Sequence, residues 1–130
     1  MNNNNYKVNI SEEVNNFIGS LGPAMAAKAR RTIELLQEHG PLLKRPFVEK
    51  VNPWDIWALR FNKGTDNVRL FYFHLTDSGY MIIHGYVKKD NKIDKNQIKI
   101  ALQIKRETVE SHGGEKQHRR KTYSKKKGKK

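Results

Sequence analysis

Apolar residues change their spacing along the chain, and each change marks an element. Tyr6, Val8 and Ile10 alternate with Lys7 and Asn9, the period of a half-buried strand. Ser11 is suited to cap a helix, and Glu12 and Glu13 suit the first turn, where the helix dipole favours anions. Val14, Phe17, Ile18 and Leu21 then recur at helical spacing. Gly22-Pro23 breaks that helix, and Pro23 can open the next. The second helix is predicted to run to about His39, with Met25, Ala29, Ile33 and Leu36 as its buried stripe. His39 falls in the last turn as a capping residue, Gly40 suits the C-cap, and Pro41 stops continuation. The two helices are expected to form a hairpin.

Leu42 to Pro53 reads as a loop punctuated by Pro46 and Pro53. From Trp54 to Phe61 the pattern alternates again: Ile56, Ala58 and Arg60 face one way, Trp57, Leu59 and Phe61 the other. Asn62 to Asn67, with Gly64 and Asp66, reads as a hairpin turn, and Val68 to Leu75 as the returning strand. After a turn at Thr76 to Gly79, Tyr80 to Val87 is nearly all apolar and is expected to be central. Asp94 and Gln97 have the spacing of a capping box, with Asp in place of the usual Ser or Thr. The helix that follows carries Ile98, Ala101, Leu102 and Lys105 on one stripe, and Gly113-Gly114 is expected to end ordered structure. The pattern predicts an α+β domain over residues 6–112: a strand and a helical hairpin packed on an antiparallel sheet, then a C-terminal helix. Residues 1–5 and the basic tail at 113–130 are expected to be disordered. With the helices on one sheet face, the other is left concave and open.

Charge sharpens this picture. Of 130 residues, 26 are Lys or Arg against 13 Asp or Glu, a formal net charge of +13. Met1 to Glu110 carries 17 basic and 12 acidic residues, so +5, and Ser111 to Lys130 carries 9 and 1, so +8. Such a balance attracts nucleic acid by releasing counterions from phosphates. The absence of cysteine excludes a disulfide scaffold, a thiolate metal site and a cysteine nucleophile. No apolar run approaches the ~18 residues of a membrane span. Met1 to Asn5 lacks the apolar core of a signal peptide, so a cytoplasmic protein with no membrane partner is expected.

The segments LLQEHGPLLKRPFVEKV, WALRF, VRLFYF and IIHGYVKK, in that order, closely resemble the HigB-like, phage-associated subgroup of the RelE/ParE toxin superfamily. The resemblance spans roughly Phe17 to Arg106 and implies a RelE-like fold. It implies the toxin of a type II toxin–antitoxin pair, a metal-independent endoribonuclease that cuts messenger RNA on the ribosome without a cofactor. It further implies a cognate antitoxin carrying a helix-turn-helix DNA-binding domain. Two other readings stay open: a gyrase-inhibiting toxin of the ParE branch, and a non-catalytic RNA-binding protein. The chain departs from the subgroup at Ala58, where Glu is usual, and at Ile93-Asp94, where Thr-Pro is usual. The first departure removes a carboxylate from the expected working face.

Carried over residue by residue, the resemblance points to Arg60 and Arg69 as catalytic cations and to Lys89 as a third, with Lys50 and Lys88 as substrate contacts. Attack on a phosphate needs cations around its oxygens, and an Arg fork can take two of them at once. Whether Arg60 and Arg69 share a face depends on the hairpin register. Lys88 and Lys89, adjacent on a strand, point to opposite faces. His84 is the acid–base candidate by type, with a strand histidine bonded inside the core as the rival reading. Tyr86 shares its face by alternation and stacks on a base, donates to phosphate or simply packs. Gly85 permits a close approach of backbone or nucleotide. No glycine-rich phosphate loop and no metal-ligand spacing is present.

Overall fold

A computed structural model describes residues 6–75, 79–90 and 94–117, with side chains through Ser111. Residues 1–5, 76–78, 91–93 and 118–130 lie outside the described residues, and with them most of the expected turn at Thr76 to Gly79 and of the expected disordered tail. The elements are β1 (Val8–Ile10), α1 (Glu12–Gly19), α2 (Pro23–His39), a 3-10 turn (Gly40–Leu42), β2 (Val48–Val51), β3 (Ile56–Lys63), β4 (Asp66–His74), β5 (Tyr80–Lys88) and α3 (Lys95–Gln117). This is the α+β architecture that the pattern predicts.

The helical hairpin follows its local signals. Ser11 Oγ accepts from the Val14 N–H at 3.2 Å, so the first helix is capped as expected. Pro23 opens α2, and Gly40 ends it at φ +54°, a conformation that favours glycine. The Tyr6 ring lies where a Cβ at Gly40 would stand, so any other residue there would also clash. Met25, Ala29, Ile33 and Leu36 are all buried against the sheet. Each fully buried Leu or Ile of this kind stabilises by about 1.5–3 kcal/mol relative to exposure.

The strand order is β1-β5-β4-β3-β2, with β1 parallel to β5 and every other pair antiparallel. The apolar strand β5 is interior, flanked by β1 and β4, but the middle position belongs to β4. Residues expected to form only a loop contain β2, whose Val48, Glu49, Lys50 and Val51 pair with Leu59 to Ile56 at the sheet edge. Four residues between two prolines gave too short a run for its alternation to stand out.

The sheet separates two cores. Val14, Ile18, Leu36, Leu59, Leu70 and Ile82 gather on the α1–α2 side. Ile56, Ala58, Phe71, Phe73 and Ile83 gather on the other side with Ile98 and Ala101 of α3. The third helix therefore covers part of the face expected to stay open. It also continues to Gln117, past Gly113-Gly114. A glycine weakens a helix by about 1 kcal/mol but keeps its N–H donor, so it does not by itself stop one.

Between Phe71 and Tyr72 the pairing with β5 shifts: Tyr72 opposes Ile82 and Phe71 opposes His84. Ile83 is thus the extra residue of a β-bulge. The shift turns His84 and Tyr86 to the α3 side, whereas strict alternation would keep them on the side of Ile82.

Candidate functional site

The β3–β4 register answers the question of the shared face. Arg60 stands directly opposite Arg69, and Arg69 in turn opposite Tyr86 of β5. The three occupy one row on the α3 side of the sheet, with Tyr86 packed against the core that α3 closes. Like charges directly opposite each other destabilise a strand pair. Here a single carboxylate oxygen of Glu49 lies 3.9 Å from Nε of each arginine. At that distance it offsets charge without a hydrogen bond. Nε of Arg60 is buried and has no hydrogen-bond partner. The Arg69 side chain is only 12% exposed. Burial, and then the charge of Arg60, lowers the Arg69 pKa, while Glu49, Tyr86 and Asp94 act the other way. Guanidinium remains protonated regardless. The row is therefore short of negative charge and of acceptors.

Asp94, ahead of α3, closes the other end of the row. Its Oδ2 lies 3.4 Å from Lys88 Nζ, and its carboxylate accepts from the Tyr86 hydroxyl. Burial first, then the charge and hydrogen bond of Asp94, raise the Tyr86 pKa far above the usual phenol range, with Arg69 opposing. Tyr86 is consequently a neutral donor at physiological pH. Gln97 was expected to fold back as a capping partner. Its side-chain oxygen instead meets His84 Nε2 at 2.6 Å. In the tautomer that donates from Nε2 to this oxygen, Nδ1 is the nitrogen left for proton exchange. The His84 ring stacks near Phe71 and Tyr86, with centroids 6.3 and 6.2 Å away. It is half-buried on the α3 side of the sheet.

Two candidates fall elsewhere. Lys50 pairs with Trp57 and so points to the opposite face from Glu49. Its Nζ donates to the Trp54 carbonyl at 2.9 Å and lies 4.9 Å from the Trp57 ring centroid. Lys89 borders a separate hollow with Lys63 and the α1–α2 turn. Of the adjacent lysines, Lys88 is the one on the arginine face. The close approach at Gly85 is made by the Phe17 ring of α1 and by Leu70, on the core side, and not from an open cleft.

Sequence reasoning missed Glu49 as a site residue, because its strand was read as loop, and took Asp94 and Gln97 only as helix caps. Ala58, opposite Glu49 and Phe71, is 1% exposed beneath α3. The carboxylate missing at position 58 thus has a neighbour in Glu49, one strand away.

From the arginine pair a cleft of about 450 Å³ continues round the sheet edge to α2, lined among others by Lys28, Arg31, Phe47, Arg60 and Arg69. No carboxylate lines it. Among the described residues no group of His, Cys, Asp and Glu is arranged to hold a metal ion, and no helix is long and apolar enough to cross a membrane.

Residues 16–106 match the family model described as Phage derived protein Gp49-like (DUF891), and the chain belongs to that family. The family is toxin-like and related to RelE-type toxins. The matched span covers every residue of the arginine row. No curated protein matches the chain.

Proposed function

We propose that this Gp49-like chain is the toxin of a type II toxin–antitoxin pair and acts in the cytoplasm as an endoribonuclease on ribosome-bound messenger RNA. The observation that carries the reading is the pair of facing arginines, under-compensated by one exposed carboxylate. Such an arrangement is costly to fold and useful to a phosphate. A phosphate between the two forks takes the place of Glu49 and supplies the acceptor that Arg60 Nε lacks.

In the reaction, the ribose 2′-oxygen forms a bond to the adjacent phosphorus while the bond to the 5′-oxygen breaks. The 2′-hydroxyl proton leaves to a base and the departing 5′-oxygen gains one. A 2′,3′-cyclic phosphate and a 5′-hydroxyl result. Arg60 and Arg69 hold the non-bridging oxygens as charge builds, and preorganised cations of this kind supply the largest share of rate. His84, oriented by Gln97, exchanges a proton through Nδ1. Tyr86 and Lys88 border the same phosphate once Asp94 shares them. A small antitoxin with a helix-turn-helix domain is the expected partner, masking this face.

Primer extension on messenger RNA from cells expressing the chain tests the reading. Discrete cuts within translated codons, absent when ribosome loading is blocked, are expected. Intact messages during growth arrest would overturn it, and accumulation of cleaved gyrase–DNA complexes would point to the ParE branch instead.

A further inference from the structure

The geometry points to a second nucleotide subsite beside the paired arginines. The cleft between α2 and the β3–β4 hairpin holds the neighbouring nucleotide of a single RNA strand, its base on Phe47 and its outer phosphate on Lys28 and Arg31. The inference rests on the proposed RNA-directed activity for the identity of the strand, and extends it from one phosphate to a defined path.

Volume, charge and one ring carry it. About 450 Å³ is within the roughly 300–1,000 Å³ typical of small-ligand sites. Arg60 and Arg69 of the sheet and Lys28 and Arg31 of α2 all line the cleft. Lys28 Nζ donates to the Asn62 carbonyl at 2.6 Å, which holds its charge at the hairpin. Arg31 pairs with Glu34 at 3.2 Å and Glu38 at 3.7 Å. Solvent-exposed pairs of this type contribute little, so a phosphate exchanges for them at small cost. Phe47 is 39% exposed and lines the cleft. Its carbonyl accepts from the Arg60 N–H at 2.8 Å, which ties the ring's position to the arginine pair. An aromatic face next to cations stacks on any base, which makes the path tolerant of sequence.

Binding of 5′-labelled hexauridylate to the full chain tests this without requiring cleavage. Phe47→Ala is expected to weaken binding by about 5- to 150-fold, the usual effect of losing one stacked base, with the salt dependence unchanged. Lys28→Gln with Arg31→Gln is expected to lower the slope of log K against log salt by about 0.7, for the one phosphate left without its cations. Ultraviolet crosslinking of the wild-type chain is expected to mark the peptide containing Phe47, a readout that does not depend on variants folding. No crosslink at Phe47 overturns the proposal, as does wild-type binding and slope in both variants. Binding of an acidic peptide, but not of hexauridylate, in the cleft overturns it in favour of a protein-docking surface. Failure of messenger RNA cleavage with these binding results intact would count against the proposed activity alone.

Discussion

Arg60 on β3 and Arg69 on β4 face each other across the ladder, and both look to one oxygen of Glu49, 3.9 Å from each Nε. Two cations and one anion are held in a row that also contains a buried Nε with no acceptor. Folding alone gives no reason to keep this arrangement, since apolar residues would satisfy the positions better. The unfavourable terms are compensated when an anion with several oxygens enters.

Arg69→Ala is therefore expected to separate stability from activity. Removing one of two facing charges relieves repulsion, and the melting temperature should stay at or above that of the parent chain. Growth inhibition should vanish, with single-turnover cleavage lowered by about 10²–10³, the scale of one lost transition-state donor. Growth arrest at the parent level with equal expression would remove Arg69 from the site.

His84→Gln is expected to leave slow cleavage at unchanged sites, reduced by about 10²–10⁴, as for loss of a general acid or base. The bond to Gln97 at 2.6 Å also gives His84 a structural share, so thermal unfolding belongs beside the kinetics. A lowered melting temperature with full cleavage below it would assign His84 to packing.

Much of this was legible in the chain. Alternation and capping residues located both helices of the hairpin and the long strands, because each element repeats its signal over several turns or pleats. Arg60 and Arg69 were legible as candidates, but their common face was not, since register is a property of two strands together. Position 83 shows a second limit. The bulge there changes which face His84 and Tyr86 occupy, and nothing in the run of apolar residues around Ile83 announces it. Lys50 and Glu49 exchanged their expected importance for a third reason: β2 is only four residues long, and its pairing with β3 decides which of them reaches the arginines.

Alkaline pH is expected to destabilise the fold. Burial raises the pKa values of Tyr72, Tyr80 and Tyr86 above the ordinary value of about 10. The folded chain thus holds phenolic protons that the unfolded chain releases. The associated stability is complete below about pH 10 and is lost as pH rises through the folded values. Urea unfolding between about pH 8 and 11 should show this fall, with a shallower slope in Tyr86→Phe. Equal slopes in the two chains would exclude Tyr86 from the effect.

Gly85→Ala is expected to cost about 1–3 kcal/mol by overpacking, because the new methyl group meets the Phe17 ring and Leu70. Denaturant unfolding should report the loss, and Phe17→Leu in the same chain should recover part of it. An unchanged midpoint in Gly85→Ala would show that α1 yields without resistance.

The parallel pairing of β1 with β5 sets an order in time. Asn9 donates to the Tyr80 carbonyl across 71 residues of chain. At a synthesis rate of about 5–20 residues per second, β1 waits several seconds for its partner. The α1–α2 hairpin is complete long before that, with Ala29, Ile33 and Leu36 lacking the sheet that buries them. The arginine row is assembled late as well, since Tyr86 and Asp94 follow both arginines along the chain. A nascent chain therefore carries both arginines for some time before the groups that complete their row have been made.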